Sequence, residues 1–153
     1  MTVGIVGLGL IGGSFAKAYH EAGATVLAWN RSRSVLDFAI MSGAVDAELT
    51  EDNIAACDLV LIALYPEATI EWFRRMAPHI GAHPVVLDCG GTKRTICAAC
   101  FPIAKEHGVT FLGGHPMAGT QYSGFKNAKA TMYHGAPMVI VPPDFDDVLL
   151  FDP

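Results

Sequence analysis

The feature that most constrains this chain is a cluster of glycines placed directly after its first apolar segment. Thr2 to Val6 is short and β-branched, the pattern of a buried strand. Gly7-Leu8-Gly9-Leu10-Ile11-Gly12-Gly13 turns the chain, and Ser14 to Ala22 continues as a helix stopped by Gly23. Glycines spaced Gly-x-Gly-x-x-Gly carry little information alone, but between a strand and a helix the spacing has a mechanism. Gly7 permits the tight turn, Gly9 lets a pyrophosphate approach the backbone, and Gly12 lets helix and strand pack closely. The helix N-terminus adds free N–H groups and a field that favours phosphate. Gly7, Leu8, Gly9, Leu10, Ile11 and Gly12 are thus candidate cofactor contacts.

The remaining pattern alternates strands with helices. Thr25 to Trp29, Asp58 to Leu64, Pro84 to Asp88, Thr110 to Leu112 and Ala136 to Val141 read as strands. Ser34 to Met41, Glu67 to Met76 and Thr92 to His107 read as helices, the last predicted to break or kink at Pro102. Gly113 to Thr120 reads as a glycine-containing loop. This alternation predicts an α/β, Rossmann-type, doubly wound and mainly parallel sheet with helices on both faces. One dinucleotide-binding domain is expected over residues 1–143, with 144–153 as a C-terminal tail.

Composition narrows the partners. With 52% hydrophobic and 16% charged residues, the 153-residue chain has the make-up of a single packed domain. A net charge of −5 provides no general basic surface, which argues against nucleic acid and anionic membranes. No apolar run is long enough to span a bilayer, and no leader pattern opens the chain. Cys57, Cys89, Cys97 and Cys100 do not form a disulfide framework, so a reducing cytoplasm is expected. Cys97 and Cys100 form a CxxC pair without a second ligand pair. They read as helix-packing residues, and no metal site is predicted.

The end of the second strand bears on cofactor choice. An acidic residue there would hydrogen-bond ribose hydroxyls and repel a 2′-phosphate. Asn30-Arg31-Ser32-Arg33-Ser34 stands there instead, with hydroxyl donors and guanidinium groups suited to a phosphate. NADP is therefore expected over NAD, with Asn30, Arg31, Ser32 and Arg33 as contacts.

Ligands of an open parallel sheet sit outside the carboxyl ends of its strands. Leu64-Tyr65, Gly91 with Lys93, and the Gly113 to Gly119 segment all fall at that edge, and His115 is the histidine among them. Such a histidine can take a hydroxyl proton as hydride leaves the same carbon.

GGHPMAGTQYSGF, followed by Ala130, Pro137 and MVIVP, resembles the signature segment of prephenate and arogenate dehydrogenases. The D-x-x-S/G-x-K element (Asp88 to Lys93) and the N-terminal glycine fingerprint precede it in the family's order, so the likeness runs to about Pro143. It implies an NAD(P)-dependent oxidative decarboxylation of prephenate or arogenate, a step of tyrosine biosynthesis. His115 matches the histidine that hydrogen-bonds and polarises the ring hydroxyl. Lys93 matches the lysine of the preceding element, which holds the loop or orients the substrate region, and Gly91 stands where many members carry serine. The family continues into a helical, dimerising domain that supplies an arginine for the substrate carboxylate. The chain thus reads as the cofactor-binding domain alone, weakly active or inactive by itself, with a homodimer expected for a full-length enzyme. Two other readings stay open on the residues alone: an NADP-binding module without catalysis, and another short Rossmann reductase.

Overall fold

A computed structural model describes residues 1–144; the proposed tail beyond Asp144 lies outside the described residues. Seven strands form one sheet: β1 (Thr2–Val6), β2 (Thr25–Trp29), β3 (Ala47–Glu48), β4 (Leu59–Ile62), β5 (Val85–Asp88), β6 (Thr110–Pro116) and β7 (Met138–Val141). Their order is β3-β2-β1-β4-β5-β6-β7. All pairings are parallel except β6 with β7. The chain builds outward from β1 to β3, then returns to lay β4 on the other flank of β1. That reversal is the topological switch of a doubly wound sheet.

The helices are α1 (Leu10–Glu21), α2 (Arg33–Met41), α3 (Pro66–Ile80) and α4 (Arg94–His107). Alternation along the strands sorts the core into two layers. Phe15 and Ala16 of α1 and Leu36 and Ala39 of α2 pack with Val3, Ile5, Leu61, Leu87 and Leu112. Trp72, Phe73 and Met76 of α3 and Ile96, Cys100 and Ala104 of α4 pack with Val6, Val60, Ile62, Val86 and Phe111. Neighbouring strand residues thus face opposite layers, as in Leu61 against Val60 and Ile62, so each face of the sheet carries two helices.

Several sequence expectations need correction. The first helix starts at Leu10 rather than Ser14, because the fingerprint glycines themselves take up its first turn. Pro102 does not break α4. Proline removes a single amide donor and crowds one turn, a cost that burial of Ile96, Cys100 and Ala104 on the sheet outweighs in α4. The two-residue β3 is absent from the sequence expectations, being too short to carry a period. Gly113 to Pro116, expected as loop, is strand: it continues β6 and pairs antiparallel with β7, His115 opposite Val139.

The glycines that suggest a loop are required by close packing inside that strand. A Cβ on Gly114 would lie 2.4 Å from the Asp88 carbonyl oxygen, and one on Gly113 would lie 2.7 Å from Cys97 Sγ. Cys97 and Cys100 are buried packing residues of α4, as their spacing suggests. Among the described residues no cluster of His, Cys, Asp or Glu could hold a metal, and no helix is long and apolar enough to cross a membrane.

Candidate functional site

The fingerprint glycines divide into two that hold the turn and one that leaves space. Gly7 has φ of +92°, and a Cβ there would meet the Ala63 carbonyl oxygen at 2.5 Å. At Gly12 a Cβ would lie 1.8 Å from the Gly7 carbonyl oxygen, so helix and turn touch backbone to backbone. A Cβ on Gly9 would meet nothing within 4 Å. Gly9 caps α1 without any side-chain hydrogen bond, and the first turn holds no acidic residue. The first intrahelical bond of this turn runs from Gly13 N–H to Gly9 C=O at 3.0 Å, which leaves the amides of Leu10, Ile11 and Gly12 without helical acceptors. Open space beside N–H groups that have no helical acceptor suits a pyrophosphate.

The residues around the turn have distinct tasks. Leu8 is buried in the core, and its N–H donates to Asn30 Oδ1 at 2.9 Å. Asn30 Nδ2 donates in turn to the Ser32 carbonyl at 3.1 Å. Asn30 therefore ties the end of β2 to the glycine turn, a task that its expected role as a 2′-phosphate contact does not include. Ser32 and Ser34 hydroxyls lie 3.1 Å apart and exposed. Arg33 is engaged by Glu48 at 2.8 Å and Asp37 at 2.9 Å, which hold its guanidinium above the usual range. Arg31 is exposed and makes no hydrogen bond or ion pair with the described residues. Leu64, half-buried, reaches the Gly7 turn, and Tyr65 stands 88% exposed at the start of α3.

A second constellation lies on the same carboxyl edge, at the ends of β5 and β6. His115 Nδ1 is 3.0 Å from the Gly90 carbonyl oxygen. A carbonyl can only accept, so in the neutral ring Nδ1 carries the proton and Nε2 keeps its lone pair. His115 is half-buried, whereas the other five histidines are exposed. Of those, His20, His79 and His83 face surface carboxylates. Gly91 is exposed beside the histidine, and a Cβ at this glycine would lie only 3.7 Å from His115 Cε1.

Lys93 is not a free ammonium. Its ammonium donates to the Asp88 carboxylate and to the Gly114 carbonyl. Asp88 is fully buried, and it also accepts the Gly90 N–H at 3.0 Å and the Gly114 N–H at 3.1 Å. In the sequence Asp88 stands out only as the first residue of its motif. A charge closing an otherwise apolar strand is the signal that singles it out further. Next to it, burial and then the Asp88 charge push the Cys89 thiol up to about 12, which keeps it protonated and unreactive.

The sequence profile of the family described as "Prephenate dehydrogenase, nucleotide-binding domain" matches residues 15–151. A prephenate dehydrogenase of Bacillus subtilis is 29% identical over 146 residues, covering 92% of this chain and 39% of the relative. Arogenate dehydrogenase of Synechocystis superposes with a TM-score of 0.86 at 24% identity, over 99% of this chain and 54% of that one, a likeness of fold. Prephenate dehydrogenase of Aquifex aeolicus, solved with hydroxyphenyl propionate and NAD+, gives 0.77 at 25% identity, over 99% of this chain and 55% of that one. The chain therefore spans 39% of the length of the curated relatives from Bacillus subtilis and Lactococcus lactis.

Proposed function

The chain belongs to the prephenate dehydrogenase nucleotide-binding domain family, and from that premise we propose that it binds NADP at the Gly7–Gly12 turn and supplies His115 as the base for oxidative decarboxylation of prephenate or arogenate. The observation that carries this reading is the His115 Nδ1 contact to the Gly90 carbonyl, made on the same sheet edge as the open turn at Gly9. It leaves Nε2 as an acceptor of the kind a hydroxyl proton needs.

When bound, the nicotinamide would accept hydride from the ring carbon that bears the hydroxyl. His115 Nε2 takes the hydroxyl proton as that hydride departs. The bond from the ring to its carboxylate then breaks, carbon dioxide leaves, and the electron pair aromatises the ring. His115 returns its proton to the phenolate oxygen so formed, and no proton is consumed overall. Lys93, held by Asp88 and Gly114, keeps the histidine-bearing strand in place instead of meeting substrate.

At the other end of the cofactor, Arg31 and the Ser32 and Ser34 hydroxyls are the groups suited to a 2′-phosphate. Arg33 contributes charge but already holds two carboxylates. NADP is thus favoured over NAD. The test is a titration of this chain with both cofactors, followed by their reduction with prephenate and with arogenate in a complete enzyme that carries this domain. Binding of neither cofactor overturns the reading, and binding without reduction by either substrate removes its catalytic half.

A further inference from the structure

The parallel ladder between β5 and β6 ends at Leu87 opposite Leu112. Strand β6 nevertheless runs on to Pro116, past the point where β5 can pair with it. Beyond that point side chains take over the pairing. Gly114 N–H donates to Asp88 Oδ1 at 3.1 Å, and its C=O accepts from the Lys93 ammonium. The other carboxylate oxygen of Asp88 accepts the Gly90 N–H at 3.0 Å and the Lys93 ammonium. Gly90 is the residue whose carbonyl receives His115 Nδ1–H. One buried carboxylate thereby anchors the amide of Gly114, the residue before His115, and the amide of Gly90, the residue whose carbonyl accepts from the ring.

From this geometry we infer that Asp88, neutralised by Lys93, is a positioning residue that sets the tautomer of His115. It does so by holding the Gly90 carbonyl against Nδ1, so that Nε2 stays bare. The inference deepens the reading of His115 as the base and rests on it for its catalytic meaning. Three donors converge on Asp88 (the Gly90 amide, the Gly114 amide and the Lys93 ammonium, which also reaches the Gly114 carbonyl), and an ionised carboxylate satisfies all three because it only accepts. Asparagine at 88 offers one acceptor oxygen and turns an NH2 toward those donors. The Gly90 turn then loosens, and the His115 ring loses its fixed acceptor.

The experiment uses the 153-residue chain with 15N-labelled imidazole at about pH 8.5, well above the ordinary histidine pKa of about 6.5. The His115 signals are assigned by their loss in His115→Ala. In the parent, Nδ1 gives the signal of a protonated ring nitrogen and Nε2 that of a bare one. In Asp88→Asn the two signals move toward each other as the tautomers mix. Lys93→Met, which removes the donor to Gly114 C=O, moves them in the same direction by less.

A parent ring protonated on Nε2 overturns the inference outright, whatever the variants do. So does a parental ring spectrum in either variant when far-UV circular dichroism shows it folded. Loss of fold in Asp88→Asn leaves Lys93→Met and the parent spectrum to decide. No substrate enters any of these measurements. If the chain shows the tautomer and its mixing but a complete enzyme that carries this domain reduces no cofactor with prephenate or arogenate, the result counts against the reaction, and the positioning role stands.

Discussion

Replacing Gly9 by valine should remove cofactor binding while leaving the domain folded. The backbone at Gly9 has φ −83° and ψ −153°, an extended conformation with negative φ, and a Cβ there meets no atom within 4 Å. Valine is a poorer helix cap than glycine by a few tenths of a kcal/mol to about 1, and it also restricts the unfolded chain, which offsets part of that loss. Stability should therefore stay within about 1 kcal/mol of the parent. The isopropyl group would fill the space in which a pyrophosphate meets the amides of Leu10 and Ile11. Losing two hydrogen bonds to a charged group, each worth about 1.5–3 kcal/mol, amounts to roughly 3–6 kcal/mol, or about 100- to 10,000-fold in Kd. Gly12→Ala provides the contrast. Its Cβ would lie 1.8 Å from the Gly7 carbonyl oxygen, so the turn must move, at the roughly 1–3 kcal/mol typical of overpacking. NADPH titration followed by the fluorescence of Trp29 and Trp72 reads the first effect, and urea midpoints read the second. A folded Gly9→Val protein with parental affinity would refute the reasoning, as would a Gly12→Ala protein of parental stability.

Arg31→Ala should narrow the preference for NADPH over NADH by about 1.5–3 kcal/mol, whereas Arg33→Ala, already paired with Asp37 and Glu48, should change it far less. Equal narrowing by both, in parallel titrations, would contradict the assignment. In a complete enzyme that carries this domain, His115→Ala should slow substrate-dependent NADP reduction roughly 100- to 10,000-fold and leave NADP affinity unchanged. An unaltered rate would take His115 out of the mechanism. Burial raises the thiols of Cys57 to about 11 and of Cys89 and Cys100 to about 12, from an ordinary value of 9.0. Above pH 9.0 the unfolded thiols ionise while these buried ones keep their protons, so stability should be lost progressively toward pH 12. Urea midpoints at neutral pH and at about pH 10 check the sign, and a midpoint that rises with pH contradicts it.

What the sequence makes legible is whatever repeats or contrasts locally. The strand–turn–helix at Gly7 to Gly12 and the β-branched runs of β1, β2, β4 and β5 are readable because each pattern lies within a few neighbouring residues. The end of β6 is not. Gly113 and Gly114 look like loop residues, and only the approach of Asp88, Cys97 and the returning β7, distant along the chain, makes them strand. Asp88 is hidden as a centre for the same reason, since its partners Gly90, Lys93 and Gly114 arrive from two elements. The arginines after β2 are visible as charge. That Glu48 claims Arg33 depends on β3, a two-residue strand with no period to read.

The order of the strands separates the two ends of the cleft. From β2, which carries Asn30 and Arg31 just past its end, to β6, which carries His115, the sheet takes four steps through β1, β4 and β5. At about 4.8 Å per step that is roughly 19 Å, beyond the range in which substitutions usually couple. Changes at Arg31 and at His115 should therefore combine additively in free energy. Cofactor preference should thus be open to redesign at Arg31 without disturbing the hydrogen bond that orients His115.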